Sequence, residues 1–297
     1  MTVAATPVSG AAGRDGLAAR FLSLPGSDEP GAATLKSDAL RILVPFTLAC
    51  ELLFEANYEL GFPVALFALI VLSGHFRRIA SAMLLVLVLY AILVAFPNLA
   101  NHFYLQALLL TLCVMLDPDD EADQQLLVQG ARWIVVAVLF WSGAKKLMYG
   151  TYFQGEYLAR MIATDARFAE FFGLFIAEEV ARFQSYAGEA GTGPYRVAGV
   201  AGFFFAALSN AVWIGEMTVP LLLVWRRARR FAWVLGLLLL LGIEIVAREV
   251  FFGLLFSSVL LSFAAPPYLW RAMPWIMGFQ LLLIALRLAG AAPPLMS

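Results

Sequence analysis

The chain has 297 residues, 62% of them hydrophobic and 14% charged, with a net charge of −1 and a mean hydropathy of +0.83. A soluble globular chain is about a quarter charged, so this composition excludes the soluble class. With no basic domain outside the apolar runs, nothing here would neutralise nucleic-acid phosphates. The runs are long and lack the alternation of barrel strands, which predicts an all-α, multi-pass transmembrane helical bundle.

Residues 1–36 are rich in Ala, Gly, Ser and Pro and lack a basic region followed by an apolar core and a cleavage site. They read as a disordered cytoplasmic tail. Within a transmembrane domain over residues 37–290, candidate spans follow at Leu40–Phe54, Gly61–Ser73, Ile79–Phe96, Phe103–Leu116, Ala131–Tyr149, Val197–Trp225, Phe231–Ala247, Phe251–Ala265 and Met273–Leu288. The second and fourth are short, so the expectation is eight or nine crossings. A short tail, residues 291–297, ends the sequence. With the N-terminus on the cytoplasmic face of the cell membrane, the His75/Arg77/Arg78 turn, the Arg226–Arg230 turn and Arg271 all fall inside. Cys50 and Cys113 lie in apolar runs and read as packing residues, with neither a disulfide nor a metal site implied. Gln154–Tyr186 carries apolar residues at helical spacing between Glu156, Arg160, Arg167 and Glu170, an amphipathic segment expected on the outer side. Two readings of it stand, a roof lying in the membrane interface or a helix packed on the bundle.

Ionisable groups at membrane depth are costly, which makes them the candidates for a site. Asn101 and His102 follow the third span, Lys145 and Lys146 end the fifth, and Glu244, Arg248 and Glu249 mark the junction of the seventh and eighth. Counting passes places all of these on the outer face. Lys145 and Lys146 point about 100° apart on a helix, so one can snorkel to headgroups while the other turns inward. Small residues after Trp141, in the run Ser142-Gly143-Ala144, permit a close approach at the pair. A desolvated lysine is a usable general base. Glu216 lies inside the sixth span and must be protonated, paired or facing a polar cavity. Glu244 and Arg248, at i,i+4, are spaced for an ion pair. Glu51 and Glu55, at the end of the first span, either join this cluster or are solvated.

Four stretches resemble the HTTM family, whose relatives include the transmembrane core of the vitamin K-dependent gamma-carboxylase. Asn101-His102-Phe103-Tyr104-Leu105 is similar to an Asn-His-x-Tyr-Leu motif, and Phe140 to Leu147 (FWSGAKKL) to a Gly-x-Lys-Lys-Leu motif. Gly215-Glu216 with Pro220-Leu221-Leu222-Leu223 resembles an acidic segment before a Leu-rich half-helix. Glu249–Phe263 resembles a Gln-Leu-Phe-x-x-x-Met-Phe-Ser segment. The likeness covers roughly residues 38–265.

The resemblance implies a quinol- or lipid-linked modifying enzyme, with carboxylase-like lyase or quinol-dependent oxidase chemistry. Lys146 corresponds to the base that deprotonates a reduced, vitamin K-like quinone, and Asn101 and His102 to the Asn-His pair. Glu244 stands where the family carries a His, and Lys145, Trp141, Glu216 and Arg248 are the expected cofactor-binding neighbours. Tyr152 and Gly155 are the nearest equivalents of a Trp and a Gly that follow the lysines. The implied partners are membrane lipid, a quinone and a secreted or membrane protein substrate. The competing class is a non-catalytic accessory or lipid-binding protein for the maturation of a secreted peptide. A transporter is disfavoured, because no two halves repeat with matching broken helices.

Overall fold

The structure is a computed structural model that describes residues 30–54, 76–95, 102–150, 152–187 and 199–291. Among the described residues ten helices run in order: α1 (Pro30–Phe54), α2 (Arg77–Ala95), α3 (His102–Met115), α4 (Glu121–Tyr149), α5 (Glu156–Thr164), α6 (Ala166–Ala187), α7 (Gly199–Val224), α8 (Arg229–Ala247), α9 (Val250–Leu261) and α10 (Pro266–Leu288). There is no strand among the described residues. Five of these described helices, α2, α4, α7, α8 and α10, are long and apolar enough to cross a membrane. Helices α3 and α9 are apolar but shorter. The run 61–73, residues 1–29 of the expected 1–36 tail and residues 292–297 of the expected 291–297 tail lie outside the described residues, whereas residues 30–36 open α1, with Ala33 and Lys36 buried.

Arg77 pairs with Asp38 near the start of α1 at 2.8 Å, whereas Phe54 at the other end of α1 meets Phe251. The two residues that flank the 61–73 run therefore sit at opposite ends of α1. One end of the bundle gathers the starts of α1, α2 and α8 with their arginines; we call it the arginine end. The other carries α5 and α6 and is the roofed end.

Arginines from neighbouring elements satisfy the carbonyls that helix C-termini leave without partners. Arg41 donates to Cys113 O at 2.8 Å and Leu116 O at 3.0 Å, and Arg78 to Val114 O at 2.7 Å, which closes α3. Arg229 donates to Leu223 O at 2.8 Å past the end of α7. Arg132 donates to Ser262 O beyond α9, and Arg167 to Ala247 O at 2.9 Å at the end of α8. Arg41 and Arg132 are both 2% exposed. A short helix ending inside the bundle needs such a donor, since neither water nor lipid supplies one there.

The amphipathic segment forms two helices that pack on the bundle. Phe168, Phe172, Val180 and Phe183 make a second core with Phe205 of α7 and with Val246 and Ala247 at the end of α8. Arg248 pairs with Glu170 at 2.7 Å and ties the same corner. Cys50 and Cys113 are free and buried, as packing residues should be.

Candidate functional site

Helix α4 starts on an N-cap, Asp120, whose carboxylate accepts from Ala122 N at 2.9 Å, and it ends at Gly150, whose φ of 69° is the left-handed conformation glycine adopts freely. The helix is fixed against α7 at Gly143. A Cβ there would lie 2.6 Å from Met217 Cγ and 2.9 Å from Trp213 O, so only glycine permits this approach. One turn along α4, Lys146 reaches Glu216 of α7, and its ammonium pairs with Oε1. Side chains lean toward the N-terminus of their helix, which carries the Lys146 head back toward the bundle centre. Glu216 itself is deep: adjacent Gly215 packs on Leu239, near the middle of α8. The pair therefore lies well inside the bundle, not at the rim where the lysines end their run.

Glu216 is 4% exposed, and its second oxygen, Oε2, has no hydrogen-bond partner. Four residues on, Pro220 lies inside the helix and has no N–H to give the Glu216 carbonyl. Tyr152 covers the other side of Lys146, its ring centroid 5.3 Å from Nζ. Tyr152 stacks on Tyr157 at 4.4 Å. Burial is the main reason its phenol is raised from its ordinary value, with Tyr157 and Glu216 adding to the effect. The turn that holds Tyr152 is locked onto α7: Asn210 Nδ2 donates to Phe153 O at 3.0 Å, and Asn210 Oδ1 accepts from Trp213 Nε1 at 2.8 Å. Gly155, at φ 75°, lies so close to Phe205 that a Cβ would come within 2.8 Å of the Phe205 Cβ.

The lysines separate as their 100° spacing requires. Lys145 is exposed and sits over Trp141 at 5.7 Å, and Trp141 is 57% exposed. These two residues lie on the outer surface of α4, away from the Lys146–Glu216 pair. Asn101 and the His102 side chain lie outside the described residues. Glu244 is not joined to Lys146, and the i,i+4 pairing with Arg248 does not form. Arg248 sits at the C-cap of α8 with φ 57°, donating its backbone N–H to Glu244 O, and its guanidinium turns away to Glu170. That left-handed turn swings the side chain off the helix face that spacing alone assigns to it. Glu244 instead packs on α9, where a Cβ on Gly253 would meet its Cγ at 2.5 Å, and both of its carboxylate oxygens are buried without a partner. Glu51 is not solvated: it is 2% exposed and accepts from Gln106 Nε2. Glu55 lies outside the described residues.

Sequence reasoning overlooked Tyr157, Ser209 and the helix-closing Arg41 and Arg132. The two arginines carried the signal that exposed Glu216, a charge within or beside an apolar run. Among the described residues no group of His, Cys, Asp and Glu is arranged to hold a metal ion. Chemically, the site offers a half-buried ammonium, one uncommitted carboxylate oxygen and a phenol, a set suited to moving a proton and holding an oxyanion. Compared with known proteins, the chain matches no family model, no curated protein and no solved structure.

Proposed function

We propose that the chain is a multi-pass protein of the cell membrane, its N-terminus cytoplasmic, that carries out HTTM-like, quinol- or lipid-linked chemistry with the Lys146–Glu216 pair as its proton-handling centre. One observation carries the reading: a lysine and a carboxylate from two different membrane-length helices meet inside the bundle, with one carboxylate oxygen left free. Structure alone is a weak motive for such a pair, because apolar residues of like volume often stabilise as well. A bound quinol would supply an acidic hydroxyl; the free carboxylate oxygen of Glu216 would take its proton, and the Lys146 ammonium would hold the oxygen that gives it up. Lys146 and Glu216 thus act together as the base. Trp141 and Lys145, on the outer surface of the same helix, are suited to contact lipid. The arginines gathered at one end support the orientation, since a cytoplasmic face is enriched in Lys and Arg. On this reading α1, α3, α9 and the 61–73 run add to the five long helices to give nine crossings.

The test is mass spectrometry of lipids and quinones that co-purify with the wild-type chain and with Lys146→Met. A quinone retained by the wild type and lost from the variant is expected. Ordinary phospholipid alone in both would favour the accessory, lipid-binding class.

A further inference from the structure

Three side chains with unpartnered acceptor atoms lie along one seam of the bundle. On α7, Ser209 is 1% exposed and its Oγ makes no hydrogen bond, not even to the carbonyl one turn back. Two turns further along the same face stands Glu216 with its free Oε2. On α8, Gly236 touches both Val219 of α7 and Leu260 of α9, so this stripe of α8 faces the junction of the three helices. Leu240 and Glu244 continue that stripe at intervals of four residues, and Glu244 meets Gly253 of α9 with both oxygens unpaired. Among the described residues the seam therefore holds four acceptor atoms and, apart from Lys146 at its inner end, no donor that reaches them.

Buried acceptors without donors are costly, and native proteins rarely leave them dry. A buried water typically makes about three hydrogen bonds to such groups. The mouth of the seam is polar. One turn beyond Glu244, α8 ends at Arg248, paired with Glu170, beside Arg167 and Asp165, which pair at 2.7 Å. We propose that ordered water occupies the seam between α7, α8 and α9 and forms a proton route from the roofed end, past Glu244 and Ser209, to the free oxygen of Glu216. Protons move along it by exchange between water and carboxylate, with no other bond made or broken. The route rests on the orphaned acceptors and stands whether or not a quinol is the substrate.

The whole protein in lipid nanodiscs is treated with a water-soluble carbodiimide and glycine ethyl ester, and in parallel with hydrophobic dicyclohexylcarbodiimide. Mass mapping then locates the modified carboxylates. Amide formation at Glu244 from the aqueous reagents is expected. Labelling by the hydrophobic reagent alone, or by neither, overturns the proposal. Independently, Ser209→Cys is exposed to a small, charged methanethiosulfonate, with the wild type as the blank because its Cys50 and Cys113 are buried, and Val135→Cys in the core of α4 as the dry comparator. Hydration keeps a thiol ionisable, so modification about tenfold faster than both controls is expected. A rate no faster than theirs, in a variant that elutes as a folded monodisperse species, overturns the route.

Discussion

Lys146 of α4 and Glu216 of α7 form an ion pair deep in the bundle, held in register by the close approach of Gly143 to Trp213 and Met217. In a low-dielectric interior, removing one member strands the other as an unpaired charge, which costs about 3–5 kcal/mol. Lys146→Met and Glu216→Met are each expected to lower the thermal midpoint in detergent, and the double variant to recover most of the loss. Additive losses in the double-mutant cycle would show that the two do not interact.

Gly143→Ala should separate α4 from α7. The added methyl would lie 2.9 Å from a backbone carbonyl, which cannot swing aside as a side chain does. Overpacking of this kind costs about 1–3 kcal/mol. Gly173→Ala, with open space around it, is the matched control and should be neutral or slightly stabilising. Thermal denaturation of the two variants side by side checks this.

Arg41→Met should loosen the end of α3 by stranding the Cys113 and Leu116 carbonyls, at about 1–3 kcal/mol for each orphaned group. Faster hydrogen exchange confined to the last turn of α3 and the start of α4 would register it. An unchanged exchange pattern would mean that water reaches those carbonyls from outside.

The roof should respond to acid. Hydrogen bonds from Arg167 hold the Asp165 carboxyl below its ordinary value, with burial opposing. Because the folded value is the lower one, the contribution is present above the unfolded carboxylate range, about 4, and is lost as pH falls through the folded value. Limited proteolysis of α6 should therefore accelerate at low pH in the wild type. In Asp165→Asn this acid dependence should disappear.

Much of this architecture is legible in the sequence, and its limits are physical. The long apolar runs identify α2, α4, α7, α8 and α10, because span length is set by the bilayer. The interleaved polar residues of Gln154–Tyr186 announce α5 and α6, and Phe172 of α6 packs on Phe205 of α7. Glu216 and Lys146 are each visible as misplaced charges, but their pairing depends on antiparallel register between helices some 70 residues apart. Sequence cannot supply that register. Glu244 and Arg248 show the opposite error. Their i,i+4 spacing is sound for a continuing helix, yet the helix stops at Arg248 in a left-handed turn and Glu170 takes the guanidinium. Exchanging the charges of Arg248 and Glu170 should accordingly cost little, about 0–1 kcal/mol. Exchanging those of Glu244 and Arg248 should not restore what either single change loses.

The central claim is that Lys146 and Glu216 act as one centre on a quinol. Its most direct test is anaerobic titration of the protein in nanodiscs with a short-chain 1,4-naphthoquinol, following the absorbance of the bound quinolate. The wild type should develop the anion's band in stoichiometric amount, and Lys146→Met and Glu216→Gln should each fail to do so while remaining folded. A wild type that binds no naphthoquinol, or a Lys146→Met variant that ionises it equally well, would contradict the account.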